Sequence, residues 1–165
     1  MGVDDVVEWG IGYAPGKQFI YDAAYNTGHL KDARTIGLVG DKADKYWDRV
    51  VYGIYDKNGL LVGMAARDLT GKENTAKWLN PVESILYHKE KVWYGWDKAV
   101  KEISRKGEAW IVERYNDVIG WHKSGLTNTV ASCGTSITDM QITILRKVTD
   151  KVVLCMDGDK AGLKS

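Results

Sequence analysis

The apolar run Val152-Val153-Leu154-Cys155-Met156 stops on Asp157-Gly158-Asp159, and this junction constrains the chain more than any other stretch. Consecutive apolar residues predict a strand buried on both faces, as in a parallel sheet. Asp157-Gly158-Asp159 then turns the chain, with Gly158 free to carry the backbone through the bend. Two carboxylates at i and i+2, at the end of a buried strand, are costly unless something positive sits between them. Mg²⁺ suits them: a hard cation that takes carboxylate oxygens and keeps waters for phosphates. The competing reading is an ordinary Asp-Gly turn capping the next helix, since D-G is a common turn dipeptide. On this stretch alone the two readings weigh equally.

A second acid shifts the balance. Ala109-Trp110-Ile111-Val112 is another short apolar run, and it ends on Glu113. A helical pattern follows from Arg114 to Lys123, then a third apolar run near Asn128 to Ser132. Alternating strands and helices predict a parallel α/β sheet, and such sheets bind ligands at the carboxyl ends of their strands. Glu113, Asp157 and Asp159 would then share one edge, as a metal site for phosphate chemistry needs.

Bulk properties narrow the alternatives. A chain of 165 residues favours one domain, or one with a small appendage. The net charge of +1 excludes a global basic field, so nucleic-acid binding must come from a local patch. Cys133 and Cys155 lie far apart and are expected to be buried reduced thiols. His29, His88 and His122 share no ligand spacing, which argues against zinc. No apolar run approaches a membrane span, and Met1-Gly2-Val3-Asp4-Asp5 does not resemble a signal peptide.

Upstream, residues to about Lys45 are punctuated by glycines and predict loops with at most short helices. Trp9 to Gly16 predicts a short strand and a Pro-Gly loop, with its aromatics engaged in packing. Asn58-Gly59 between the β-rich runs 49–56 and 60–67 predicts a hairpin, and Trp96 to Lys106 an amphipathic helix. Arg49, Arg67, Lys77 and Lys89 each stand beside an aromatic residue or a turn. Cations so placed suit the phosphates and bases of nucleic acid. Ordinary solvated charge is the commoner explanation for any single one of them.

These residues resemble a known family. Glu113 through Gly162 is similar to the Toprim domain of topoisomerases, primases and nucleases, which places a Glu after one strand and a D-x-D after a later one. The finer resemblance is to DnaG-type bacterial and phage primases. Their E-G-x-x-D-V is close to Glu113-Arg114-Tyr115-Asn116-Asp117-Val118, and their V-A-S-x-G-T-S appears as Val130 to Ser136. Their D-G-D-x-A-G is Asp157 to Gly162. K-Y-L-N-[ST]-P-E resembles Lys77 to Glu83, F-x-K-G is similar to Tyr87 to Glu90, and I-G-x-x-x-R to Val62 through Arg67. I-G-[FY]-A-P resembles Ile11 to Pro15.

The resemblance implies a Rossmann-like Toprim sheet flanked by helices at 107–165. It would be preceded by a small mixed subdomain with a β-hairpin at 1–106. It implies that Glu113, Asp157 and Asp159 are catalytic and hold Mg²⁺ or Mn²⁺, with Asp117 in support. Asp117 alone is equally explained as an acid on the first turn of its helix. Arg49, Arg67, Lys77, Asn80, Lys89 and Arg114 would contact template and nucleotide. The implied activity is template-directed synthesis of short RNA primers on single-stranded DNA from ribonucleoside triphosphates. A replicative helicase or a second primase chain are further implied partners, and the implied compartment is the cytoplasm of a bacterial or phage-infected cell. Departures are Arg114 for the family's Gly, and Ala65 and Ala66 for glycines. A proline is also missing beside Gly53. Family members carry further Toprim elements, an acidic motif, a helical subdomain and zinc- and helicase-binding modules, so the expectation is a core with weak activity by itself. A split or remnant primase acting as a binding module is the alternative. A Toprim nuclease is less favoured, because the Lys77 and Lys89 motifs are of the primase type.

Overall fold

The computed structural model describes residues 2–134 and 136–156. Asp157, Asp159 and the remainder of the D-G-D-x-A-G motif lie outside the described residues. The chain divides into two compact units, Met1–Gly53 with Val62–Tyr87, and Ile54–Leu61 with His88–Ser165.

The early chain forms three short helices, α1 (Val3–Glu8), α2 (Phe19–Asn26) and α3 (Leu30–Thr35), with strand β1 (Ile11–Ala14) after the first. The start of α2 is capped from outside its own segment, because the Asp44 carboxylate accepts the N–H groups of Ile20 and Tyr21 at 3.0 and 2.8 Å. Those donors have no partner within a helix. β2 (Arg49–Tyr55) and β3 (Leu61–Asp68) flank the predicted turn, where Gly59 takes φ 77° and Asp56 N–H donates to Leu60 O. The Asp56 carboxylate accepts from Asn58 and Leu60 N–H, which fixes the loop as an Asx turn. With β4 (Trp78–Leu79) these strands make a sheet of order β1-β2-β3-β4. Ala14, Tyr46 and Ala66 are the centre of its core. Ala65 and Ala66 are both fully buried, so the methyls that replace the family's glycines are absorbed into packing. Gly63 cannot gain one so easily: a Cβ there would stand 3.0 Å from Pro81.

In the other unit, α4 (Trp96–Lys106) buries Trp96, Ala99 and Ile103, spaced along one helical face. Left-handed glycines bound it, Gly95 at φ 78° and Gly107 at φ 64°. The Gly107 N–H donates to Ile103 O at 2.8 Å, a helix stop that favours glycine. β5 (Trp93–Tyr94), β6 (Ala109–Val112), β7 (Thr129–Ser132) and β8 (Val152–Cys155) form a second sheet of order β5-β7-β6-β8. β6 runs parallel to both β7 and β8, while β5 is antiparallel to β7. Helix α5 (Tyr115–Lys123) links β6 to β7, and α6 (Asp139–Leu145) lies between β7 and β8. One antiparallel sheet and one largely parallel sheet with helical connections make the fold mixed α/β, as the sequence predicts.

β8 corrects one expectation. It is a strand, but it is not buried on both faces: Leu154 is 58% exposed, while Ile111, its register partner on β6, is 0% exposed. β8 is the last strand in the sheet order, and among the described residues β6 alone pairs with it. Composition does not separate an apolar edge strand from an apolar central one. The same fact corrects the paired thiols, since Cys133 is buried and Cys155 is exposed.

Candidate functional site

The carboxyl edge of the second sheet collects the site residues of that unit. Glu113 follows directly on β6 and is half-buried. Val112 and Cys155 are register partners, so β6 and β8 end level with one another. In sequence, Asp157 follows two residues after β8. β5 brings its first residue, Trp93, opposite the last residue of β7, Ser132. The segment before β5 therefore lies beyond the carboxyl end of the parallel strands, and it carries Lys89 on a 3₁₀ turn, Lys89–Lys91.

That turn is clamped. Thr138 Oγ1 donates to Glu90 O at 2.7 Å, and Gln141 Nε2 donates to Val92 O at 2.7 Å. Thr138 and Gln141 also cap α6 reciprocally: Thr138 Oγ1 accepts from Gln141 N–H, and Gln141 Oε1 accepts from Thr138 N–H. Trp93 Nε1 closes the set by donating to Gln141 O. Lys89 then reaches Gly134, in the loop after β7, where a Cβ would stand 2.3 Å from the lysine's Cε. Glycine at 134 is thus what admits the lysine.

Asp117 caps its helix. Its Oδ2 accepts the Arg114 N–H at 3.1 Å, the role open to an acid on the first turn. Arg114 sits at φ −121°, ψ 155°, an extended conformation that needs no glycine, and its side chain is exposed. Arginine therefore replaces the family's glycine without backbone strain.

The first unit gathers the other cations. Arg67 and Trp78 are register partners on β3 and β4, and the guanidinium carbon lies 5.7 Å from the indole centroid, within cation–π range. Asp68 N–H donates to Lys77 O, which joins Lys77 to the same ladder. Arg49 is buried, and its Nη1 donates to Ala76 O at 2.8 Å. Lys77 and Asn80 are exposed, and Asn80 O accepts from Lys45 Nζ. Arg49, Arg67 and Lys77 are thus brought together. Of the three, Arg49 is turned inward to hold the 68–77 loop.

Among the described residues, no three His, Cys, Asp or Glu side chains converge as a metal-binding group. Of the predicted acids, Glu113 and Asp117 alone are described. A half-buried carboxylate at this edge fits a hard cation. Sequence reasoning missed Gly134, Thr138 and Gln141 as supports of Lys89. T-x-x-Q over 138–141 is a capping-box signature visible beforehand. Tyr13, expected in packing, is instead exposed, as are Phe19, Tyr25 and Trp47, for which the sequence gives no sign of exposure.

Comparison with known proteins shows the family of the chain. Residues 2–100 match the family model of the DNA primase catalytic core, N-terminal domain, and residues 107–165 match the Toprim domain. A DNA primase of Staphylococcus aureus is 34% identical over 165 residues, covering 95% of this chain and 27% of that protein. The RNA polymerase domain of Mycobacterium tuberculosis DnaG was solved with a double-stranded DNA oligomer bearing a 6-nucleotide overhang. It superposes at TM-score 0.90 with 30% identity, over 98% of this chain and 55% of that one. A DnaG primase catalytic domain bound to ssDNA superposes at 0.82 with 31% identity, over 99% and 53%. The chain spans about a quarter of the length of the curated relatives it matches.

Proposed function

The chain belongs to the DNA primase catalytic-core family, and we propose that it carries out template-directed nucleotidyl transfer, building short RNA primers on single-stranded DNA. Residues 1–106 serve in this reading as the part that positions template and nucleotide, and residues 107–165 as the Toprim part. The observation that carries the proposal is Glu113 at the carboxyl edge of the parallel sheet, with Lys89 held at that same edge. A carboxylate for ions and a cation for phosphates are the two charges that phosphoryl chemistry requires.

Glu113, Asp157 and Asp159 would hold Mg²⁺ or Mn²⁺, which when bound would lower the pKa of the primer 3′-hydroxyl and neutralise charge on the α-phosphate. The 3′-hydroxyl gives its proton to water, its oxygen attacks the α-phosphorus, the bond from that phosphorus to the bridging oxygen of the β-phosphate breaks, and pyrophosphate leaves. Lys89 steadies the triphosphate. Lys77 and Arg67, with Asn80 beside them, hold the template backbone, and Arg114 offers a further phosphate contact at the start of α5. Asp117 keeps the α5 N-terminus in place and so orients Glu113 next to it.

The test pairs the wild type with Glu113→Gln. Divalent-ion binding is measured by calorimetry, and primer synthesis on a single-stranded template with ribonucleoside triphosphates. Ion binding and synthesis in the wild type, both lost in the variant, are the expected result. Ion binding without synthesis would mark a core that needs a second chain. No ion binding in the wild type would overturn the metal site and leave a nucleic-acid-binding module.

A further inference from the structure

We propose that Tyr13, Phe19 and Trp47 form a stacking platform for the bases of single-stranded nucleic acid, a subsite of the first unit separate from its cations on β3 and β4. This rests on the primase reading and adds to it a place for bases.

All three rings face solvent: Tyr13 is 59%, Phe19 69% and Trp47 62% exposed. They arise from two segments that are laced together. Trp47 lies against Gly16, where a Cβ would stand 1.7 Å from the indole Cδ1, so only glycine, at φ 75°, lets the ring settle there. Tyr13 Oη donates to Asp48 Oδ1 at 2.6 Å. Phe19 N–H donates to Gly16 O, Asp44 N–H to Lys17 O, and Gln18 Nε2 to Lys42 O. The backbone beneath the rings is thus fixed, and Tyr13 and Trp47 are held further by Asp48 and Gly16, which limits the ordering cost on binding.

Tyr13 is tied to Asp48, beside Trp47, and Trp47 lies on Gly16, whose carbonyl accepts the Phe19 N–H. The three exposed rings thus arise from one small stretch of surface, an apolar exposure of the kind that marks a binding site. Their chemistry selects the occupant. Flat rings take base faces irrespective of sequence, and Tyr13 presents an amphipathic ring with its hydroxyl already satisfied. Lys17 and Lys42, both exposed, flank the rings and match phosphates. Of the nearby acids, Asp44 and Asp48 direct their oxygens onto donors of their own chain, while Asp22 and Asp41 are exposed, so the rings rather than the charges select the occupant. An apolar protein partner would want aliphatic neighbours, and the exposed residues around these rings are mostly charged.

The test compares binding of a short oligothymidylate with that of an abasic oligonucleotide of the same length, which keeps the phosphates and lacks the bases. The wild type, Phe19→Ala, Trp47→Leu and Lys77→Ala are measured, after thermal melting confirms that each folds. Phe19→Ala is the safer variant, because its ring is not packed against Gly16. The expected result is that the wild type prefers the base-bearing strand. Phe19→Ala and Trp47→Leu each weaken that strand by about fivefold or more, leave abasic binding unchanged and keep the salt dependence. Lys77→Ala instead weakens both strands. If Lys77→Ala weakens binding while Phe19→Ala and Trp47→Leu match the wild type, the platform falls and the primase reading stands. If the wild type binds neither strand, both fall.

Discussion

Lys89 lies across the backbone of Gly134, so close that a Cβ at residue 134 would meet the lysine's Cε at 2.3 Å and its Nζ at 2.8 Å. Gly134 lies outside the left-handed region, so alanine there strains no backbone. The lysine's flexible end gives way instead. Gly134→Ala is therefore expected to melt within a few degrees of the wild type yet to lose nucleotide affinity as Lys89→Ala does. The double variant should be no worse than Lys89→Ala, because both changes remove one interaction. Additive losses in a nucleotide titration would separate the two residues.

Lys77 is exposed and joined to the β3–β4 ladder, where Arg67 lies over Trp78. A lysine that neutralises one phosphate of a single strand contributes about 0.7 to the slope of log K against log salt. Lys77→Ala should flatten the slope by about that amount and weaken all template sequences equally. Anisotropy titrations at several salt concentrations check it, and an unchanged slope would remove Lys77 from the template contact.

Much of the fold was legible because local rules and packing agree. The Asn58-Gly59 turn, the glycine-bounded helix at Trp96 and the alternation from β6 to β8 each carried both signals. That β8 is the outermost strand among the described residues was not legible, since Val152 to Cys155 is as apolar as Ala109 to Val112 and only pairing order tells them apart. Nor was the support of Lys89: the contacts of Thr138 and Gln141 with residues 90 and 92 are 48 and 49 residues apart in sequence. Charge alone makes Arg49 a candidate phosphate contact, and its burial and its bond to Ala76 O, which sequence cannot show, add a role in holding the 68–77 loop.

The two thiols follow from that edge. Cys133 is buried behind β7 and Cys155 is exposed on β8. Native-state labelling with an aromatic disulfide reagent should modify one thiol rapidly, and Cys155→Ser should abolish the fast phase. The second thiol should react only as fast as the protein opens. Two fast thiols, or none, would contradict the burial pattern.

Tyr46 links stability to alkaline pH. Burial pushes its phenol up to about 12, and its Oη donates to Met64 O at 2.7 Å. The folded state thus holds the proton more tightly than the unfolded chain, whose phenols titrate near pH ~10. Its contribution is complete below that pH and is lost as pH rises towards 12, by up to ~1.4 kcal/mol per pH unit. Tyr46→Phe should be less stable at neutral pH by about 1–3 kcal/mol, since Met64 O loses its donor. It should also decline less steeply between pH 10 and 12. Urea melts across that range would show the two curves converging.

Ile111 and Leu154 are register partners across the β6–β8 ladder with opposite burial. Ile111 packs with Trp93, Ile103, Val130 and Leu145 in the core, where truncation leaves a cavity that close-packed neighbours cannot fill. Ile111→Ala should therefore cost about 2–5 kcal/mol. At Leu154 the side chain already faces water, so Leu154→Ala removes little transfer energy and opens no cavity. It is expected within about 0.5 kcal/mol of the wild type. A large cost at Leu154 in denaturant melts would show that the β8 face is covered in solution, and covering by association would reveal itself as a concentration-dependent midpoint.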